Sequence, residues 1–183
     1  MTHGQTEYQV RFDWGRPGAD AIGEGADVVV WVDVLGTPAT PQQSATPPGP
    51  ATQNKRVAGT TIAGSLRNRR AIADWALAKQ GDKGDRFTIA VVADGDIRED
   101  GSIRFAVEDL LAAGAVIDAL ADVGIDYCSP EAAAASAAFM GLKNATGHLI
   151  GASASGRELA ENGRRAEVDL AIQLDATGEI EVL

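Results

Sequence analysis

Cysteine is almost absent: Cys128 is the only one in 183 residues. That excludes an intrachain disulfide framework and any thiolate-rich zinc site. Basic residues are scarce, with 16 Lys+Arg against 26 Asp+Glu, for a formal net charge of −10 and a pI near 4.6. A duplex-binding module needs a basic footprint to displace counterions, and an anionic membrane surface attracts polybasic patches. Neither nucleic acid nor a membrane is therefore an expected partner. Long apolar runs are missing too; none reaches the roughly 18 residues of a membrane span. The N-terminal MTHGQTEYQV has no apolar centre of the signal-peptide kind, so a cytoplasmic protein is expected. Aromatics make only 5% of the chain, whereas glycine alone contributes 21 residues. Small side chains let helices lie close to a sheet, although each contributes little apolar area. The length suits one domain over residues 1–183, able to bury roughly 70% of its unfolded surface without staples.

The apolar pattern alternates between strand and helix. Tyr8–Trp14 reads as a first strand, and Pro17 suits the first turn of a short helix ending near Gly23 or Gly25. Asp27–Leu35 (DVVVWVDVL) and Phe87–Ala93 (FTIAVVA) are apolar runs of the length and β-branched content of buried strands. Between them, residues 36–56 hold five of the seven prolines, and an exposed loop is expected there. A short strand is expected over 57–63, then a helix starting at Ser65. Further helices are expected from Phe105 to about Val123, from Pro130 to about Met140, and over about Ser155–Asn162. Strands are expected over Val168–Leu174 and Ile180–Leu183. This order predicts an α/β fold, a largely parallel or mixed sheet flanked by helices. Ligands in such folds sit beyond the carboxyl ends of strands.

The familiar short motifs fail. Gly23-Glu-Gly25 precedes a strand and lacks the third glycine of a dinucleotide fingerprint, and no GxxxxGK[ST] occurs. Gly151–Gly156 misses GxSxG by one residue. The calcium-loop-like run from Asp96 has Arg98 at its third position and Val107 at its twelfth, which cannot close around calcium. His3 and His148 have no partner pattern. Carboxylates remain: Asp33 at a strand end, Asp94 and Asp96 in what reads as a turn, and Glu108–Asp109 early in a helix, where the dipole favours negative charge. Each has a plain reading as a cap, turn or ion pair beside the functional one. Ser65 reads as a helix N-cap, and with backbone N–H groups and Arg67 nearby it also suits an oxyanion.

Taken in order, VRFDWGRPGADAI, ADVVVWVDVL, GSLRNRRAIADWAL, VVADGD with VEDLLAAGAVIDAL, and SGRELAENG…VDLAIQLD resemble the 2-phosphosulfolactate phosphatase family. The resemblance implies a magnesium-dependent phosphatase acting on a small phosphorylated 2-hydroxy acid, in the route to coenzyme M. It further implies Asp33, Glu108 and Asp109 as catalytic residues, with Asp33 and Glu108 on the metal. Ser65, Asn68, Gly95, Ser155, Gly156 and Arg157 are implied as substrate-binding. The chain departs from the family after Asp-Val-Leu, where Gly36-Thr37-Pro38 stands in place of an arginine-containing segment, and the Pro-rich loop replaces a longer block. The alternative expectation is thus a catalytically impaired relative that binds a small anion or a partner protein. A homo-oligomer whose carboxylates serve only as caps and ion pairs is also left open.

Overall fold

The two β-branched runs form the centre of the sheet. In the computed structural model, which describes residues 4–36 and 60–183, β2 (Val28–Val32) and β4 (Ile89–Ala93) lie side by side, every residue of both buried. β1 (Val10–Trp14) pairs with β4, and β3 (Thr61–Gly64) pairs with β2. All three pairings are parallel, giving the order β1-β4-β2-β3. The Pro-rich segment beyond Gly36, and residues 57–59 of the strand expected at 57–63, lie outside the described residues.

Parallel strands need covering on both faces. Val29, Trp31, Ala90 and Val92 face α1 (Gly15–Ile22) through Ala19 and Ile22. Val28, Val30, Val32, Ile89 and Val91 join the larger core on the other face. There lie α2 (Arg69–Lys83), α3 (Val107–Asp122) and α4 (Pro130–Leu142). Helix α3 buries eleven residues because it is wedged among the sheet, α2 and α4. Small side chains permit this: a Cβ on Gly114 would stand 2.1 Å from the Ala135 carbonyl oxygen. Ser129 caps α4 by accepting from the Ala132 N–H at 3.1 Å, with Pro130 in its first turn.

Both sheet edges are covered. Tyr127 O accepts from Gln9 N and Val10 N, and Ser129 N donates to Val10 O. On the β3 side the C-terminal segment bonds through Ala63 N to Glu181 O and Leu183 N to Thr61 O. The strand expected over Ile180–Leu183 is thereby reduced to one antiparallel bridge, Ile62 with Val182.

Three further differences concern helices. The expected strand over Val168–Leu174 is a helix, α7 (Arg165–Ala171). Its alternation mimics a strand, but only Val168 is buried, and Arg164–Glu167 and Arg165–Asp169 pairs at helical spacing favour the helix. A short helix not expected from the pattern, α5 (Thr146–Ala152), precedes α6 (Ala154–Glu161). Finally, α2 starts four residues later than expected, at Arg69, and continues past Gly81 to a left-handed Gly84 cap. Among the described residues no helix is long and apolar enough to cross a membrane.

Candidate active site at the strand ends

Strand register alone assembles the site. Val32 is level with Gly64 on one side and with Ala93 on the other, and Ala93 is level with Trp14. The next residue along each strand is therefore Ser65, Asp33, Asp94 and Gly15, in that order across the carboxyl edge. With strands about 4.8 Å apart, the Ser65 and Asp94 backbones stand about 10 Å from each other. The hairpin of β5 (Asp96–Ile97) and β6 (Ile103–Arg104) follows Asp94 and folds back beside Trp14.

Asp109, 2% exposed, braces this edge from the first turn of α3. One of its oxygens accepts from the Val34 N–H and the other from the Gly95 N–H, each at 2.9 Å. It thus joins the loops that carry Asp33 and Asp94. Gly95 has φ +70°, and a Cβ there would stand 2.8 Å from the Arg104 carbonyl oxygen. Glycine is what lets Asp94 turn into the hairpin. Glu108, 3% exposed, lies next to Asp109 on α3.

These carboxylates repel one another. Asp33 is exposed as a residue, with its carboxylate dehydrated on the side that Gly36 covers. That partial dehydration, followed by the charges of Glu108 and Asp96, raises its carboxyl above the usual range. Burial, then Asp33 and Asp96, push Asp94 up to about 7. Burial and the charges of Asp33 and Glu108 raise Asp109 well above its ordinary value, against the lowering effect of its two backbone donors. Neither Asp33 nor Asp94 has an ion-pair partner among the described residues, whereas Asp96 pairs with Arg104 at 3.0 Å. Gly36 lies over Asp33 so closely that a Cβ would meet its carboxylate.

On the β3 side, Ser65 is not the N-cap expected. Its backbone N–H and its hydroxyl both donate to the Asn68 side-chain oxygen, at 2.9 and 3.0 Å, and its hydroxyl accepts from Arg67 N at 3.2 Å. The Asn68 amide donates to Ala63 O and Glu179 O, so Asn68 ties the turn to the C-terminal segment. The first turn of α2 is occupied by Asp175, which accepts from Arg70 N at 3.3 Å and pairs with Arg69 at 3.1 Å. A phosphate is therefore excluded from that helix terminus. Arg67 is partly buried, and its Nε is shielded from solvent without a hydrogen-bond partner.

The remaining expected residues are placed elsewhere. Ser155, Gly156 and Arg157 lie on α6, which packs on α5 and α7. Gly156 is buried against the Ile150 carbonyl, and Arg157 is exposed. A shallow depression of about 470 Å³ near Gln9, Gln80 and Arg86 lies at the opposite, amino end of the strands.

The donor set suits a hard divalent cation in kind: unpaired carboxylate oxygens at mutual expense. Among the described residues, however, no three Asp, Glu, His or Cys side chains are grouped to hold a metal. Magnesium characteristically takes only one or two protein carboxylates, completing its shell with water and substrate phosphate oxygens. Asp33 and Glu108 are near enough for the charge of Glu108 to raise the Asp33 carboxyl.

A family model described as 2-phosphosulpholactate phosphatase matches residues 45–183. The chain belongs to this family. The match includes Ser65, Asn68, Gly95, Glu108, Asp109 and the α6 residues, while Asp33 precedes it. No curated protein matches the chain. In this phosphatase-family chain the residue left out of the expected site is Asp94, which the sequence put at a strand end but which was read most simply as a turn. The available signal was its equivalence to Asp33, since each directly follows a five-residue, fully buried strand.

Proposed function

We propose that the protein hydrolyses a small phosphorylated 2-hydroxy acid of the 2-phosphosulfolactate kind, in a magnesium-dependent reaction at the carboxyl edge of the sheet. The observation that carries this reading is the row Ser65–Asp33–Asp94, with two mutually repelling carboxylates at its centre that have no ion-pair partner among the described residues. Uncompensated negative charge of this sort is costly to keep and typical of sites that await a cation.

In this reading Asp33 and Glu108 hold magnesium, which neutralises phosphate charge when bound. Water attacks phosphorus, the ester P–O bond breaks, and its electron pair leaves on the hydroxy-acid oxygen, which then takes a proton. Asp94, beside Asp33 in the row, is placed to hand over that proton. Asp109 and Asn68, previously expected to touch the ligand, become positioning residues, because backbone groups engage both ends of each. Ser65, through its hydroxyl, and Gly95, through its backbone, line the cleft, whereas Ser155, Gly156 and Arg157 on α6 take no part in this reading. The cytoplasmic setting and the coenzyme M route remain part of the proposal.

A second reading, an impaired relative that binds a small anion without hydrolysing it, is favoured by the lack of a three-ligand metal group among the described residues. Phosphate release from a panel including 2-phosphosulfolactate and 2-phospholactate, with magnesium and with EDTA, separates them. EDTA-sensitive release is expected. Well-folded protein that releases nothing from any ester establishes the second reading instead.

A further inference from the structure

We infer that Arg67 binds the acid group of the substrate that is not transferred, and so selects acid-bearing phosphate esters; this rests on the proposed hydrolase reading. The charge of Arg67 has no ion-pair partner among the described residues, and its Nε is buried without an acceptor. All 26 Asp and Glu side chains belong to described residues, since residues 1–3 and 37–59 contain neither. No carboxylate side chain of this chain therefore neutralises it. Its neighbour Arg69 makes the contrast: that guanidinium also has an orphaned Nε, but its terminal nitrogens pair with Asp118 at 3.3 Å and Asp175 at 3.1 Å.

Arg67 stands two residues beyond Ser65, at the β3 side of the row, whereas the unpaired carboxylates follow β2 and β4. A phosphate group handled at Asp33 and Asp94 leaves the rest of a small substrate to extend across the row. A second anionic group would be repelled by the carboxylates, and a guanidinium fork is suited to a carboxylate or sulfonate. The turn that carries Arg67 is also preorganised. Arg67 N donates to Ser65 Oγ, Arg67 O accepts from Thr177 N at 3.0 Å, and Leu66 O accepts from Asp175 N at 3.1 Å. A cation held in this way loses little freedom on binding.

The test compares 2-phospholactate with isopropyl phosphate, which lacks the acid group, by calorimetric titration of their non-hydrolysable phosphonate analogues into magnesium-loaded wild type and Arg67→Gln. Arg67→Gln should weaken 2-phospholactate by about 30-fold and leave isopropyl phosphate unchanged. Because no internal partner is lost, its unfolding temperature should match the wild type. Arg70→Gln, an exposed residue paired with Asp175, serves as the control and should alter neither affinity. Equal weakening of both esters would place Arg67 on the phosphate and overturn the assignment. So would unchanged 2-phospholactate affinity, or a wild type that binds no 2-phospholactate. Arg67-dependent binding without phosphate release would remove the hydrolase reading alone.

Discussion

At the scale of single residues, the site is built from carboxylates held against their own preference. Asp94 illustrates the sign. Its folded-state value is about 7, above the ordinary 3.8, so it contributes stability that is fully present below about pH 4 and lost as pH rises towards 7. In EDTA, the unfolding temperature of the wild type should therefore fall between pH 5 and pH 8, and that of Asp94→Asn should fall less. Identical pH profiles for the two proteins would contradict this electrostatic account. Asp109 behaves differently, because its two oxygens each receive a backbone N–H. An amide in its place sets an NH2 group against a backbone donor, leaving one buried donor unsatisfied. Asp109→Asn should cost roughly 1–3 kcal/mol in denaturant unfolding. It should lower activity as well, through misplacement of Asp33 and Asp94. Loss of activity at undiminished stability would make Asp109 a direct participant instead.

At the scale of elements, close backbone approach and the C-terminal segment decide the architecture. Helix α3 approaches α4 where Gly114 meets the Ala135 carbonyl. Gly114→Val should force the two helices apart and destabilise the protein by about 1–3 kcal/mol, read from its denaturation midpoint. The C-terminal segment holds the Ser65–Arg70 turn through Asp175, Thr177 and Glu179. Asp175→Ala leaves Arg69 with Asp118 alone and frees the first turn of α2, at a cost of roughly 1–3 kcal/mol. These contacts also mark where the sequence was hard to read. Ser65 followed by Asn68 has the composition of a cap, but Asp175, over a hundred residues away, caps the helix. Alternation over Val168–Leu174 resembled a strand because period alone does not reveal that a single residue is buried there. By contrast, VVVWV and IAVVA were legible as buried strands, since few other local structures accommodate such β-branched runs.

At the scale of the whole molecule, the α/β class and the family were legible from ordered segments, although no single motif is specific. The parallel register then converts separate sequence positions into one row, which the sequence could suggest only as two strand ends. What stayed hidden was long-range: the bracing by Asp109, the closure of the turn by the C-terminal segment, and the missing partner of Arg67. The central claim is that this row performs phosphate-ester hydrolysis through Asp33. The most direct test is the initial rate of phosphate release from 2-phosphosulfolactate with magnesium, for wild type and Asp33→Asn side by side. The account predicts release by the wild type, stopped by EDTA, and a rate at least about 100-fold lower in the folded variant. An Asp33→Asn rate equal to the wild type would contradict it.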